Sequence, residues 1–274
     1  MSPANARRPT ALVTGASSGI GLELARLLAA DGHDLVVVAR SREALDRLAA
    51  ELHAAHGTVV TVVPADLADP AAPAAVRAAV DGAGLTVDVL VNNAGFGTYG
   101  RFTDIPLEAQ LGLLQVNVAA LVHLTRLFVP AMVARGRGRV LHVASTAAFQ
   151  PGPLMAVYYA SKAFVLSFSE ALANELAGSG VTVTALCPGP TRSGFQARAS
   201  MESARLVSGT MPMMDSATVA RIGYRGMRRG ARVVVPGLVN RILVQSVRFA
   251  PRRLTTAIAR AMQERKAHAP GREP

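Results

Sequence analysis

Residues 11–21 read Ala11-Leu12-Val13-Thr14-Gly15-Ala16-Ser17-Ser18-Gly19-Ile20-Gly21. A short apolar run ends at Thr14, three glycines follow, and a helical pattern carried by Leu22, Leu24, Leu27 and Leu28 continues to Ala30. Glycine removes the side chain where backbone must approach a pyrophosphate, and the first turn of a helix offers it free N–H groups and partial positive charge. A glycine trio alone is a weak signal. Its place between a strand and a helix, at the head of a βαβ pattern, gives it weight. Gly15, Ser17, Ser18, Gly19, Ile20 and Gly21 are therefore expected to bind a dinucleotide.

Outward from this turn the periodicity keeps switching. Strands are expected at 11–14, 34–39, 58–63, 87–91, 139–144, 181–186 and 232–235, and helices at 20–30, 42–53, 73–80, 107–134, 156–177 and 217–229. The strands are uninterrupted apolar runs, as when helices cover both faces of a parallel sheet. The alternation predicts an α/β fold: a Rossmann-type, doubly wound parallel sheet of about seven strands in one domain spanning 11–235. A flexible stretch, 1–10, precedes it. A polar, methionine-rich loop at about 190–216 interrupts it, and a basic extension, 236–274, follows.

The chain has 274 residues, half of them apolar and 17% charged, too few charges for a disordered polyelectrolyte. The single cysteine, Cys187, excludes a disulfide framework and a Cys-rich zinc site, and no metal is expected. No apolar h-region follows Arg7 and Arg8. The most apolar long stretch, 111–134, is interrupted by Gln115, Asn117, His123, Thr125 and Arg126, so a cytoplasmic location is expected. The net charge of +11 is unevenly placed. Up to Ala220 there are 16 basic and 16 acidic residues; from Arg221 onward, 13 and 2. Only two residues are lysine, Lys162 and Lys266, in a chain that otherwise uses arginine.

The end of the second strand discriminates between cofactors. An acid there would accept hydrogen bonds from an adenosine ribose. Here Arg40 and Ser41 follow Ala39, and a guanidinium beside a hydroxyl suits a 2′-phosphate. NADP(H) is expected over NAD(H).

Further on stand Asn92-Asn93-Ala94-Gly95 and Tyr158-x-x-x-Lys162, with Ser145 thirteen residues before Tyr158. With the glycine turn, this set resembles the short-chain dehydrogenase/reductase family. Asn117 in Gln115-Val116-Asn117-Val118, Asp66-Leu67 after the third strand and Pro188-Gly189 after the sixth match it too, so the resemblance covers about residues 11–195. It implies a catalytic set of Asn117, Ser145, Tyr158 and Lys162. Asp66 and Leu67 would meet the adenine; Asn93, Ala94, Gly95, Pro188, Gly189, Thr191 and Ser193 would line the cofactor site. Lys162 would hold the nicotinamide ribose, and Asn117 a water that links Lys162 to solvent. Three positions depart from the pattern: Thr191 and Ser193 replace the family's usual aliphatic residue and threonine, and Ser18 stands where many NADP-preferring members carry a base.

Residue chemistry points the same way. Hydride transfer to a carbonyl leaves an alkoxide that needs a proton. Tyrosine, with an ordinary pKa near ~10, is a poor acid at neutral pH unless a nearby ammonium favours its phenolate. Residues four apart share a helix face, so Tyr158 and Lys162 point together. Ser145, at a strand end, can polarise the carbonyl oxygen. Tyr159 is the local rival to Tyr158, but its spacing to Lys162 and Ser145 is wrong. His142 and Cys187 read as packing.

Met201, Met211, Met213 and Met214 in the long loop, with Phe96, Phe149, Leu154 and Met155, suggest an apolar substrate surface. Core filling is the alternative. The expected substrate is a lipophilic ketone, aldehyde or 3-oxoacyl thioester, and a homo-oligomer, dimer or tetramer, is expected. A catalytically silent nucleotide-binding scaffold is the rival class; an intact Ser145, Tyr158, Lys162 and Asn117 set favours the enzyme.

In the extension, Pro251 separates two helical pieces. Leu254, Ile258 and Met262 form an apolar stripe, and Arg241 and Arg248 share a face. Three readings stay open: a helical pair packed on the domain with solvated arginines, a peripheral contact with an anionic membrane, and nucleic acid. The absence of stacking aromatics argues against the last, and no nucleic acid is expected.

Overall fold

The computed structural model describes residues 7–192, 213–247 and 249–264. Seven parallel strands form the main sheet: β1 (Thr10–Thr14), β2 (Asp34–Ala39), β3 (Val60–Pro64), β4 (Val87–Asn92), β5 (Gly138–Val143), β6 (Val181–Leu186) and β9 (Val233–Val234). Their order, β3-β2-β1-β4-β5-β6-β9, is that of the expected doubly wound fold. Two residues at each end of the long loop, β7 (Thr191–Arg192) and β8 (Met214–Asp215), pair in parallel and close it at its base.

Helices α1 (Gly19–Ala30), α2 (Arg42–His56) and α7 (Ser216–Arg228) cover one face, packing Leu24, Leu28, Leu45, Leu48 and Met227 against the sheet. Helices α3 (Ala72–Gly82), α5 (Ala120–Ala134) and α6 (Ala156–Glu175) cover the other with Val76, Val80, Phe128, Met132 and Leu172. Caps set the boundaries. The Ser41 hydroxyl accepts from the Ala44 N–H at 3.2 Å to start α2, and Gly57, at φ 61°, ends it by returning its N–H to the His53 carbonyl. Asp215 likewise caps α7 through the Thr218 N–H at 2.7 Å. Tyr224 and Arg228 of α7 both bind Asp31 at the end of α1, which ties the two helices together.

The domain starts slightly earlier than the hydrophobic pattern suggests. Thr10 already pairs with Asp34 and Val87, and Arg7 donates to the Thr86 carbonyl at 2.9 Å. The expected helix at 107–134 is resolved into α4 (Leu107–Leu114), a π turn at Gln115–Ala119, and α5. It is apolar and long enough to cross a membrane by composition. Half of that stretch is buried, and its α5 part packs in the core beneath the sheet. Beyond β9, Gly237 turns the chain into α8 (Leu238–Ser246), and Pro251 starts α9 (Arg252–Gln263), the two helical pieces expected.

Candidate active site

The strand order reverses between β1 and β4, and the crevice outside the carboxyl ends of the strands opens there, as in other doubly wound sheets. A cavity of about 660 Å³ occupies it. The loops after β1 to β6 all contribute to its lining, so the fold assembles in one place residues scattered over most of the chain.

The glycine turn supplies the floor. Gly15 sits at φ 66°, where a side chain is strained, and a Cβ on it would lie 2.7 Å from the Asn93 amide nitrogen. A Cβ on Gly21 would run into the Gly15 carbonyl, so Gly21 permits α1 to pack against the turn. Gly15, Ser17, Ser18, Gly19 and Ile20 line the cavity; Gly21 lies behind them. The first turn of α1 carries no acidic residue, which leaves its positive end to a bound phosphate. Thr14 and Asn93 hold the turn in place. The Thr14 hydroxyl accepts from the N–H groups of Asn93 and Ala94 at 3.0 Å each, while the Asn93 amide donates to the Thr14 carbonyl at 2.9 Å and the Gly15 carbonyl at 3.2 Å.

Arg40 and Ser41 leave β2 at one end of the cavity, with Asp66 and Leu67 beside them after β3. Arg40 is exposed, and its guanidinium has no hydrogen-bond or ion-pair partner among the described residues. Asp66 braces its own loop by accepting from the Ala68 N–H at 3.0 Å.

Ser145, Tyr158 and Lys162 meet on the other side of the switch point. The Ser145 hydroxyl stands beside Tyr158, where it favours the phenolate, and it also donates to the Pro188 carbonyl at 3.4 Å. Lys162 is 5% exposed, donates to the Val143 carbonyl at 2.9 Å, and places its Nζ 5.8 Å from the centre of the Tyr158 ring. Burial lowers its pKa to about 8. Burial also pushes the Tyr158 phenol well above its ordinary value, with the Ser145 hydrogen bond opposing it. The expected lowering of Tyr158 by the ammonium is not what the protein alone produces: desolvation disfavours the phenolate more than Ser145 favours it.

Asn117, in the π turn, is buried but does not line the cavity. Its amide donates to the Phe96 carbonyl at 3.0 Å and to the Ser161 hydroxyl at 3.1 Å, and its oxygen accepts from the Phe96 N–H at 3.1 Å. It thereby holds the segment after β4 against α6. Gly95 fits between: a Cβ there would lie 3.0 Å from Asn117 Oδ1 and 3.3 Å from Lys162 Nζ. Ala94, Gly95, Pro188, Gly189 and Thr191 line the cavity as expected; Ser193 lies outside the described residues.

Tyr159 also lines the cavity, but its hydroxyl accepts from Gln263 at 2.6 Å. His142 is fully buried between the Thr125 and Ser169 hydroxyls, and burial lowers its pKa to about 3. Cys187 is buried, its thiol pushed up to about 12. Both are packing residues.

Phe96, Phe149 and Met155 line the cavity, while Leu154 stands aside in a left-handed conformation. Of the loop methionines, Met214 packs on the core beside α7; Met201 and Met211 lie outside the described residues. The apolar wall that the loop was expected to supply comes in part from the C-terminal helices, through Asn240, Leu243, Val244, Val247, Ala259 and Met262. The expected stripe of Leu254, Ile258 and Met262 meets the cavity only through Met262. Leu254 and Ile258 are half-exposed, and the buried row of α9 is Thr255, Ala259 and Gln263. A small residue and a hydrogen-bonding one allow the helix a close approach that a leucine stripe would not.

A glycine cradle at a helix N-terminus, a guanidinium beyond it and a buried ammonium, neither of which has a carboxylate partner among the described residues, together fit a nicotinamide dinucleotide, and the class they define is a Rossmann-type oxidoreductase. The sequence pattern of the short chain dehydrogenases matches residues 9–204, and the chain belongs to that family. It is 44% identical over 191 residues to the granaticin polyketide synthase putative ketoacyl reductase 1 of Streptomyces violaceoruber, covering 68% of this chain and 69% of that one. It is 35% identical over 229 residues to a very-long-chain 3-oxoacyl-CoA reductase of Pyrenophora tritici-repentis, covering 80% of this chain and 65% of that one. The structure of a short-chain dehydrogenase from Sphingobium yanoikuyae in complex with NADPH superposes with a TM-score of 0.80 at 34% identity, covering 97% of this chain and all of that one.

Proposed function

We propose that this oxidoreductase reduces lipophilic carbonyl compounds with NADPH, and the convergence of Ser145, Tyr158 and Lys162 at the mouth of one crevice carries that reading. When bound, the reduced nicotinamide would supply the hydride that the carbonyl carbon accepts. Ser145 donates a hydrogen bond to the carbonyl oxygen as charge develops there. Tyr158, held protonated by burial, gives its proton to that oxygen and is left as phenolate. Lys162 binds the nicotinamide ribose hydroxyls and stabilises the phenolate by its charge. Asn117 fixes Gly95 and Phe96 beside Lys162 and so keeps room for a water that returns the proton from solvent. The same groups run the oxidation in reverse.

Arg40 and Ser41 favour the 2′-phosphate of NADP(H) over the free ribose hydroxyl of NAD(H). Among the described residues the substrate end of the cavity carries no cation besides Lys162, which suits an uncharged apolar ketone, aldehyde or 3-oxoacyl group. The test is oxidation of NADPH and NADH over a panel of such carbonyls. Turnover with NADPH on apolar members supports the reading. Cofactor binding without turnover on any member leaves a nucleotide-binding scaffold instead.

Two surfaces support the expected partners. Leu107, Leu111 and Leu114 on α4 and Phe164 on α6 are exposed on helices that pack together, the kind of face a second copy covers. On the outer side of α8 and α9, Leu238, Val239, Ile242, Leu254 and Ile258 stand exposed among Arg241, Arg252, Arg253 and Arg260, with Phe249 88% exposed between the helices. That mixture suits an anionic lipid surface. Co-sedimentation with phosphatidylglycerol vesicles, lost in high salt and lost on changing Phe249 and Ile258 to serine, is the expected result; a supernatant protein at low salt ends the membrane reading.

A further inference from the structure

The tail helices lie outside the segment that matches the family pattern, yet α9 reaches the centre of the molecule. Gln263 is 1% exposed. Its side-chain amide donates to the Tyr159 hydroxyl at 2.6 Å, and its main-chain carbonyl accepts from the Tyr99 hydroxyl at 2.6 Å. Tyr159 in turn packs its ring on Gly152, where any side chain would displace it, and stands edge-on to Tyr158 at 6.1 Å. One turn of helix before and beside this clasp, Ala259 and Met262 face the cavity.

We infer that α9 is a clasped wall of the substrate chamber: Gln263 holds it through Tyr159 and Tyr99, and Ala259 and Met262 form the surface on which the apolar substituent of the carbonyl packs. This rests on the reductase reading for the other end of the cavity. A wall held by one buried and one partly buried hydrogen bond keeps a fixed distance from the reacting centre. The size of the residues at 259 and 262 then decides which substituents fit, since an added or missing carbon group in an apolar pocket changes selectivity ~10- to 200-fold. Gln263 is a positioning residue here, because it does not line the cavity itself and acts through Tyr159, which does.

The test compares a bulky aryl ketone with a small alkyl ketone, reading both turnover and ketone binding by calorimetry in the presence of NADP+. Ala259→Phe fills the chamber and should lower the bulky-to-small ratio of kcat/KM at least tenfold. Met262→Ala opens it and should raise that ratio, so the pair remains informative if the larger side chain prevents folding. Gln263→Leu should raise KM for the bulky ketone several-fold more than it lowers kcat. Tyr159→Phe should do the same, and the double variant should be no worse than either single one, because both break one hydrogen bond. Gln263→Glu, which can accept from Tyr159, should recover most of the loss. Unmoved selectivity in both size variants, or additive effects at 159 and 263, overturns the inference. Ketone binding without reduction defeats the reductase reading alone, since the size variants then still shift the binding ratio.

Discussion

The side-chain amide of Asn93 donates to the Thr14 carbonyl at 2.9 Å, while the Thr14 hydroxyl accepts the Asn93 backbone N–H at 3.0 Å, so two residues 79 apart in sequence hold each other on both sides of the topological switch point. The glycine turn owes its shape to this brace as much as to its glycines. Asn93→Ala removes the side-chain half of the brace and takes a donor from the partly buried Thr14 and Gly15 carbonyls, which costs ~1–3 kcal/mol. Thermal unfolding should show a lowered Tm, and fluorescence titration a several-fold weaker NADPH affinity. An unchanged Kd would mean that the turn holds its shape without Asn93.

Tyr158→Phe removes the proton donor and keeps the ring. Loss of a general acid costs ~10²- to 10⁴-fold in rate. The variant should keep its NADPH affinity and its fold while kcat falls within that range. Substantial residual turnover would assign the acid elsewhere.

Arg40→Asp replaces a free cation with a charge of the same sign as the 2′-phosphate. The Kd for NADPH should rise by at least an order of magnitude more than that for NADH, and added salt should narrow the gap between wild type and variant by screening. Equal losses for both coenzymes are incompatible with a phosphate clamp at this position.

Burial of the Lys162 ammonium predicts a protein less stable than one with an apolar side chain there. Its pKa falls from 10.5 to about 8 on burial, so below pH 8 the folded state carries the full cost of a buried charge, up to ~3 kcal/mol. That cost fades as pH rises from 8 to 10.5, because the folded state sheds its proton before the unfolded one does. Lys162→Met, which also loses the bond to Val143, should raise Tm at pH 7 while abolishing turnover, and its advantage should shrink towards pH 10.5. A destabilised variant at pH 7 would show that the hydrogen bond outweighs the buried charge.

The parallel sheet was legible because its strands are apolar on both faces, the glycine turn because it sits between strand and helix, the Tyr158–Lys162 pair because residues four apart share a helix face, and Ser145 through the family resemblance. The π turn at Gln115–Ala119 left no mark: its residues continue a good helical pattern, and the extra residue per turn is set by what Asn117 binds across the fold. The role of α9 was hidden for a different reason. Periodicity ranks faces by hydrophobicity, so it selected Leu254 and Ile258, whereas close packing on Tyr99 and Tyr159 selected Ala259 and Gln263. Electrostatic balance at Tyr158 was also beyond reach, since desolvation depends on neighbours that no spacing reveals.

The bond from Tyr99 to Gln263 spans 164 residues, and it gives the protein an order of assembly. A chain that emerges from the ribosome N-terminus first exposes β1 to β6 well before α9, at roughly 5–20 residues per second. The nucleotide crevice can thus close while the substrate chamber still lacks a side. Helix α9 can seat on Tyr99 and Tyr159 only once both are in place, so the side of the chamber that it forms is the last to be supplied along the chain.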